Sequence, residues 1–133
     1  MESSRATDLE RLQALYRQWA RGDFSRGDIF DRAMKSENIG MGEPIRVQSY
    51  EEFVAAMREW LGAWERPLTI EAEEFLQSGD RILVLVRWSG RGKGSGAEIE
   101  ASGAHLWTFR DGLAVRFDTY RDAEEARAAL KGG

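Results

Sequence analysis

The stretch of sequence that decides the fold is AHLWTFRDGLAVRFDTY, residues 104–120. Two apolar runs flank Asp111-Gly112, which is a strong signal for the turn of a β-hairpin. We expect one strand from about Ala97 to Phe109 and a second from Ala114 to Arg121. The stretch therefore predicts a long antiparallel hairpin.

Two registers are possible for this hairpin. A two-residue turn pairs Phe109 with Ala114 and His105 with Asp118, whereas a three-residue loop with a glycine bulge pairs His105 with Phe117. We expect the three-residue loop, because it separates apolar from polar residues cleanly. The inner face then carries Ile99, Ala101, Gly103, His105, Trp107, Phe109, Val115, Phe117 and Thr119. His105 is the titratable side chain on that apolar face, and both a structural role and a proton-transfer role suit it.

The first half of the chain is predicted to be helical. Thr7 and Glu10 have capping-box spacing, and apolar residues then recur at helical intervals up to Gly22. A second, short helix is expected over residues 25–34, with Ile29 and Phe30 buried. A third begins behind Ser49 and ends near residue 67. Its apolar stripe consists of Phe53, Met57, Trp60, Leu61 and Trp64.

The second half changes to strand patterns. One strand is expected from Leu68 to about Phe75, before the turn at residues 78–80. The continuous apolar run Ile82–Trp88 is typical of a strand covered on both faces, although the pattern leaves open which residues face which side. With the hairpin, this makes a meander of four antiparallel strands after the helices. A short helix behind Asp122 and Glu125 completes an α+β layout.

Composition excludes several functions. The chain has 133 residues, which suits one domain over residues 1–133, and a net charge of −4, which argues against nucleic acid as a partner. It has no cysteine and one histidine, so we expect no metal site. No stretch has the length of a membrane span, and no signal peptide is recognised, so we expect a cytoplasmic protein that binds no membrane.

Several pieces of sequence together carry a resemblance to a known family. They are LYRQWARGDF at residues 15–24, IFD at 29–31, the Phe53–Trp64 helix and the AHLWTFRDG hairpin with Tyr120-Arg121-Asp122. In this order they resemble the SnoaL-like proteins of the nuclear transport factor 2-like superfamily. The resemblance implies a cone-shaped, curved, mixed or antiparallel sheet wrapped around N-terminal helices, a cystatin-like α+β roll.

The resemblance also implies site residues. SnoaL-type cyclases place a histidine where this chain has His105, and their catalytic aspartate corresponds to Thr119, which cannot act as a carboxylate base. The base of the related ketosteroid isomerases aligns near Asn38, and their oxyanion-stabilising tyrosine aligns near Leu15, beside Tyr16. We therefore take His105, Tyr16, Asn38 and Thr119 as candidate catalytic residues.

An aromatic-lined pocket is expected beside them. Its candidate ligand-binding residues are Trp19, Trp107, Phe109, Phe117, Phe53 and Trp60. The resemblance implies a cofactor-independent isomerase, cyclase or dehydratase that acts on a small apolar carbonyl or cyclic compound through His105. The alternative is a non-catalytic domain that binds a hydrophobic ligand or dimerises. In either case we expect a homodimer.

Overall fold

The computed structural model describes residues 7–39 and 45–132, with only the backbone described at 66 and 67. Three helices and six strands follow one another along these residues. Their order is α1 Asp8–Trp19, β1 Phe30–Ile39, β2 Arg46–Val47, α2 Tyr50–Leu61, β3 Trp64–Ser78, β4 Arg81–Gly92, β5 Glu98–Arg110, β6 Leu113–Tyr120 and α3 Ala123–Gly132. None of these helices is long and apolar enough to cross a membrane.

The six strands form one sheet in the order β2-β1-β6-β5-β4-β3. Neighbouring strands are antiparallel except β1 and β6, which run parallel. The sheet is strongly curled into a half-barrel, so the predicted α+β cone with a curved mixed sheet is confirmed. The predicted four-stranded meander is present as β3 to β6, and β1 and β2 extend it.

The main hydrophobic core lies between the inner face of the sheet and helices α1 and α2. Its buried members include Leu12, Tyr16 and Trp19 of α1, Phe53 of α2 and Trp107 of β5. The capping box predicted for α1 is present, because Thr7 and Glu10 each accept a hydrogen bond from the other's backbone N–H, at 3.0 and 2.9 Å.

A second, smaller core lies on the outer face, where α3 packs across β4, β5 and β6. Leu83, Leu106 and Tyr120 of the sheet are buried there with Ala126 of α3. Strand β4 is therefore covered on both faces, as its continuous apolar run predicts. The faces that the sequence left open are now assigned, with residues 82, 84 and 86 inward and residues 83 and 85 outward.

The predicted short helix over residues 25–34 is wrong. Residues 30–39 form β1, which pairs in parallel with β6 from Phe30↔Ala114 to Ile39↔Tyr120. Ile29 and Phe30 are buried as expected, but they contribute to a sheet. Pairing with a strand more than eighty residues away along the chain overrides the local helical pattern.

The third predicted helix also ends earlier than its apolar stripe indicates. Helix α2 stops at Leu61, and Trp64 already begins β3. The Ser49 side chain caps α2 by accepting a hydrogen bond from the backbone N–H of Glu52 at 3.2 Å. The Glu52 carboxylate accepts from the N–H of Gln48 at 2.9 Å.

The β5–β6 hairpin differs from both predicted registers. Asp111-Gly112 forms a two-residue turn with φ of 54° and 82°, and Phe109 pairs with Ala114. One extra residue, Val115, then bulges out of β6, so that Trp107 lies opposite Phe117 and His105 opposite Thr119. The bulge restores the separation of apolar from polar residues that the three-residue register predicts, with Ala114 in place of Val115 on the inner face.

Candidate functional site

His105 is the centre of a hydrogen-bonded chain on the inner face of the sheet. Its Nδ1 atom lies 2.6 Å from the hydroxyl oxygen of Tyr16, on α1. That hydroxyl also accepts a hydrogen bond from the indole Nε1–H of Trp107 at 3.0 Å. Helix α1 positions Tyr16 because Leu12, Tyr16 and Trp19 recur at helical intervals along its buried side. His105 and Trp107 share a face because they are two residues apart on one strand.

Aromatic rings enclose the histidine. The ring centroid of Phe117 lies 4.9 Å from that of His105, and those of Tyr16 and Trp19 lie at 5.9 and 6.1 Å. His105 is 9% exposed. Burial lowers the pKa of its imidazole to about 3, because no charge compensates for the lost hydration of the protonated ring. The ring is therefore neutral at pH 7.

Tyr16 is buried more deeply still, with 2% of its surface exposed. Burial raises the pKa of its hydroxyl well above the usual range, and the hydrogen bond from Trp107 offsets this only in part. Tyr16 is therefore protonated at pH 7. The site presents two neutral polar groups in an apolar surround.

Two further candidate residues lie in the same row of the sheet. Thr119 of β6 is the register partner of His105, and Asn38 of β1 is the register partner of Thr119. Register partners share a face, so the three side chains stand side by side on the inner face. The Asn38 side-chain oxygen accepts a hydrogen bond from the backbone N–H of Ile45. Tyr16 and His105 are thus in direct contact, and Thr119 and Asn38 continue the same row of the sheet.

The predicted ligand wall is mostly a packed cluster. Trp107 and Phe117 have ring centroids 4.5 Å apart, and Phe53 joins them through a contact of 5.6 Å with Phe117. Trp19 and Phe109 belong to the same buried core. Trp60 packs against the edge of this core, where it forms a half-buried trio with Trp64 and Trp88, which are not among the predicted wall residues.

Two surface grooves lie elsewhere on the protein, and His105 lines neither of them. One, of about 510 Å³, lies on the outer face beside the start of α3. The other, of about 620 Å³, lies along α2 beside β1. In residues 7–39 and 45–132 no group of three or more His, Asp or Glu side chains is arranged to hold a metal ion.

Asp118 points away from the site, as the strand alternation predicted. It pairs with Leu106 on the outer face, where its Oδ2 accepts a hydrogen bond from Arg116 Nε at 2.7 Å. Its buried Oδ1 has no hydrogen-bond partner among the described residues. The carboxylate next to Thr119 in sequence therefore cannot serve His105.

One sequence signal for this site was missed. Trp107 was selected as a wall residue, yet its indole N–H is what engages Tyr16. Its spacing of two from His105 was visible, but the approach of α1 to both residues is a tertiary contact.

Solved structures of similar shape place the fold in a known class. An NTF2-like protein from Burkholderia thailandensis E264 superposes with a TM-score of 0.75 at 21% identity, covering 95% of this chain and 98% of that one. A protein from Jannaschia sp. CCS1 assigned as a SnoaL-like polyketide cyclase gives 0.74 at 17% identity, covering 99% of both chains. TerC, co-crystallised with polyporic acid, gives 0.70 at 17%, covering 93% of this chain and 98% of that one. The fold is that of the nuclear transport factor 2-like proteins.

Within this class the sequence profile of the SnoaL-like domain matches residues 12–117. The chain therefore belongs to the SnoaL-like domain family, as the resemblance predicted. A comparison with curated protein sequences gives no significant match.

Proposed function

We propose that the chain is a cofactor-independent enzyme of the isomerase or cyclase type, acting on a small apolar carbonyl or cyclic compound at His105. The observation that carries this proposal is the 2.6 Å hydrogen bond between Tyr16 and His105 inside an aromatic enclosure. A few oriented polar groups within an apolar surround are typical of sites for small, mostly apolar ligands. The fold neighbour TerC, co-crystallised with polyporic acid, is a precedent for a small-molecule ligand on this fold.

The remaining candidates take supporting roles in this proposal. Thr119 and Asn38 offer a hydroxyl and an amide on the same face as His105, and both groups can donate or accept a hydrogen bond. Trp19, Trp107, Phe109, Phe117 and Phe53 form the apolar wall, and Trp60 stands at its edge. The wall rings are in contact, so a ligand that enters between them needs at least one ring to move.

Hydrogen–deuterium exchange at carbon tests the proposal whatever the final product of the reaction is. The protein is incubated in D₂O with a panel of enolisable cyclic ketones, and proton NMR follows loss of the signals next to each carbonyl group. We expect one or more compounds to exchange at least about tenfold faster with the wild-type protein than with His105→Asn, the range in which one positioned group contributes. Equal rates with both proteins for every compound would contradict a role for His105.

A non-catalytic domain, which binds a hydrophobic ligand or dimerises, is the second candidate, and the contact between the wall rings favours dimerisation. In addition, no described hydrogen bond or ion pair joins a carboxylate to His105. Tryptophan fluorescence titration with the same panel separates the two functions, because five tryptophans report on binding. Binding without carbon exchange supports the non-catalytic ligand-binding domain.

A homodimer is part of this proposal as well. Helix α3 covers only part of the outer face, and exposed ion pairs such as Arg87–Glu100 and Arg91–Glu98 occupy another part. Light scattering should give twice the chain mass of 15.1 kDa. The cytoplasmic location and the single domain over residues 1–133 stay predictions.

A further inference from the structure

The Trp107–Tyr16–His105 chain has a direction that the types of its atoms determine. An indole N–H can only donate, so the Tyr16 oxygen is the acceptor in its 3.0 Å contact with Trp107 Nε1. The Tyr16 hydroxyl still has its own proton to donate. Among the described residues, the acceptor within reach of that proton is His105 Nδ1, at 2.6 Å. The proton of a buried tyrosine left without an acceptor would cost stability.

The opposite arrangement is unfavourable for the same reason. If Nδ1 carried the proton and donated it to Tyr16, the hydroxyl oxygen would accept twice and its own proton would have no described partner. A doubly protonated imidazole would create the same conflict, and it would also place a charge among Phe117, Trp19 and Trp107, which are buried.

We infer that Trp107 and Tyr16 are positioning residues that hold His105 as the neutral tautomer protonated at Nε2, so that the site offers its ligand a hydrogen-bond donor. The part of this inference that concerns the ligand rests on the proposed function, whereas the assignment of the tautomer does not. Nε2 has no hydrogen bond to any described residue, so it is the end of the chain that a ligand can meet.

The chemistry of the ligand follows from this direction. A neutral N–H donor orients an acceptor such as a carbonyl oxygen, and it stabilises negative charge that develops there. The lowered pKa of His105 supports the same role, because so weak a base is a poor proton acceptor at pH 7. His105 therefore acts on the acceptor atom of the ligand and does not itself remove a proton from carbon.

The single histidine of the chain makes the test unambiguous. In protein labelled with ¹⁵N-histidine, correlations between ring nitrogens and ring protons distinguish the two tautomers. For the wild-type protein we expect the Nε2–H form to exceed the Nδ1–H form by about tenfold or more, since a buried unsatisfied donor costs enough for that ratio. The spectrum should not titrate between pH 5 and 8. A dominant Nδ1–H form, or titration in that range, would overturn the inference.

Two variants test the positioning role. Tyr16→Phe removes the hydroxyl that donates to Nδ1, so the tautomer ratio should fall towards one. Trp19→Phe is the matched control, because its indole is also next to His105, at 6.1 Å, but makes no described hydrogen bond to Tyr16 or to His105. An unchanged ratio in Tyr16→Phe, or an equal change in Trp19→Phe, would exclude the positioning role. If the tautomer is the expected one but no compound shows carbon exchange, the proposed function is wrong and the tautomer assignment stands.

Discussion

Tyr16 and His105 lie 89 residues apart in sequence, and the hydroxyl oxygen of one is 2.6 Å from Nδ1 of the other. Helix α1 supplies the tyrosine and β5 the histidine, so this contact exists only when the helix is docked on the inner face of the sheet. Both side chains are neutral and buried. Burial of the imidazole in this docked arrangement therefore couples the protonation of His105 to folding.

This coupling predicts how stability changes with pH. The folded pKa of His105 is lowered from 6.5 to about 3, so between these values the unfolded chain binds a proton that the folded protein excludes. The stabilisation is complete above about pH 6.5 and is lost as the pH falls towards 3, by up to about 1.4 kcal/mol per pH unit. Urea unfolding of the wild-type protein and of His105→Gln between pH 7.5 and 4.5 measures the difference in slope. Parallel pH profiles would contradict the prediction.

For the buried carboxyl of Asp118 we predict an effect of pH on stability that has the opposite sign. Burial raises the pKa of its carboxyl, and the neighbouring Arg116 offsets this only in part. The bound proton thus favours the folded state at low pH, and this contribution is lost as the pH rises through the folded pKa. We expect Asp118→Asn, which is neutral at every pH, to gain stability relative to the wild-type protein between pH 4 and pH 7. Urea unfolding at both pH values measures it, and a constant difference would argue against a raised pKa.

Replacement of Gly103 is predicted to destabilise the fold, because an added Cβ atom would collide with backbone. A Cβ atom built there lies 2.9 Å from the backbone oxygen of Tyr120, and backbone cannot yield as a flexible side chain can. We expect Gly103→Ala to lower the free energy of unfolding by about 1–3 kcal/mol. Gly132→Ala is the control, since nothing lies within 4 Å of its added Cβ, and it should change stability by less than about 0.5 kcal/mol. Similar values for the two variants in denaturant titrations would refute the packing argument.

The turn between β5 and β6 predicts a contrast between its two residues. Asp111 and Gly112 both have positive φ, as a primed hairpin turn requires. Alanine is strained in this region, so Gly112→Ala should cost about 1–2 kcal/mol. Asp111→Asn should be tolerated, because asparagine also adopts this conformation readily. Thermal unfolding of both variants tests the contrast, and a larger loss for Asp111→Asn would speak against this turn.

Much of the fold could be predicted because it depends on neighbours in sequence. The capping residue Thr7, the helical spacing of α1, the turn at Asp111-Gly112 and the two-sided apolar run of β4 are local patterns. The inner-face position of His105, Trp107 and Phe117 followed from strand alternation once the apolar and polar residues were required to separate.

The errors share one physical cause. Residues 30–39 form a strand because β6 offers them a parallel partner, and nothing within the segment specifies that partner. The bulge at Val115 reconciles a two-residue turn with the packing of Phe117 against Trp107, and packing energy is a property of the assembled core.

By itself, then, the sequence determined the family, the order of most elements and which residues share a face. These follow from backbone preference and from the period of apolar residues. Only the tertiary structure decided that Asn38, Thr119 and His105 stand in one row, and that Trp107 and Tyr16 orient the imidazole. Those relationships depend on distances between elements far apart in the chain, which are established when the core excludes water and each buried polar group takes the partner that remains within reach.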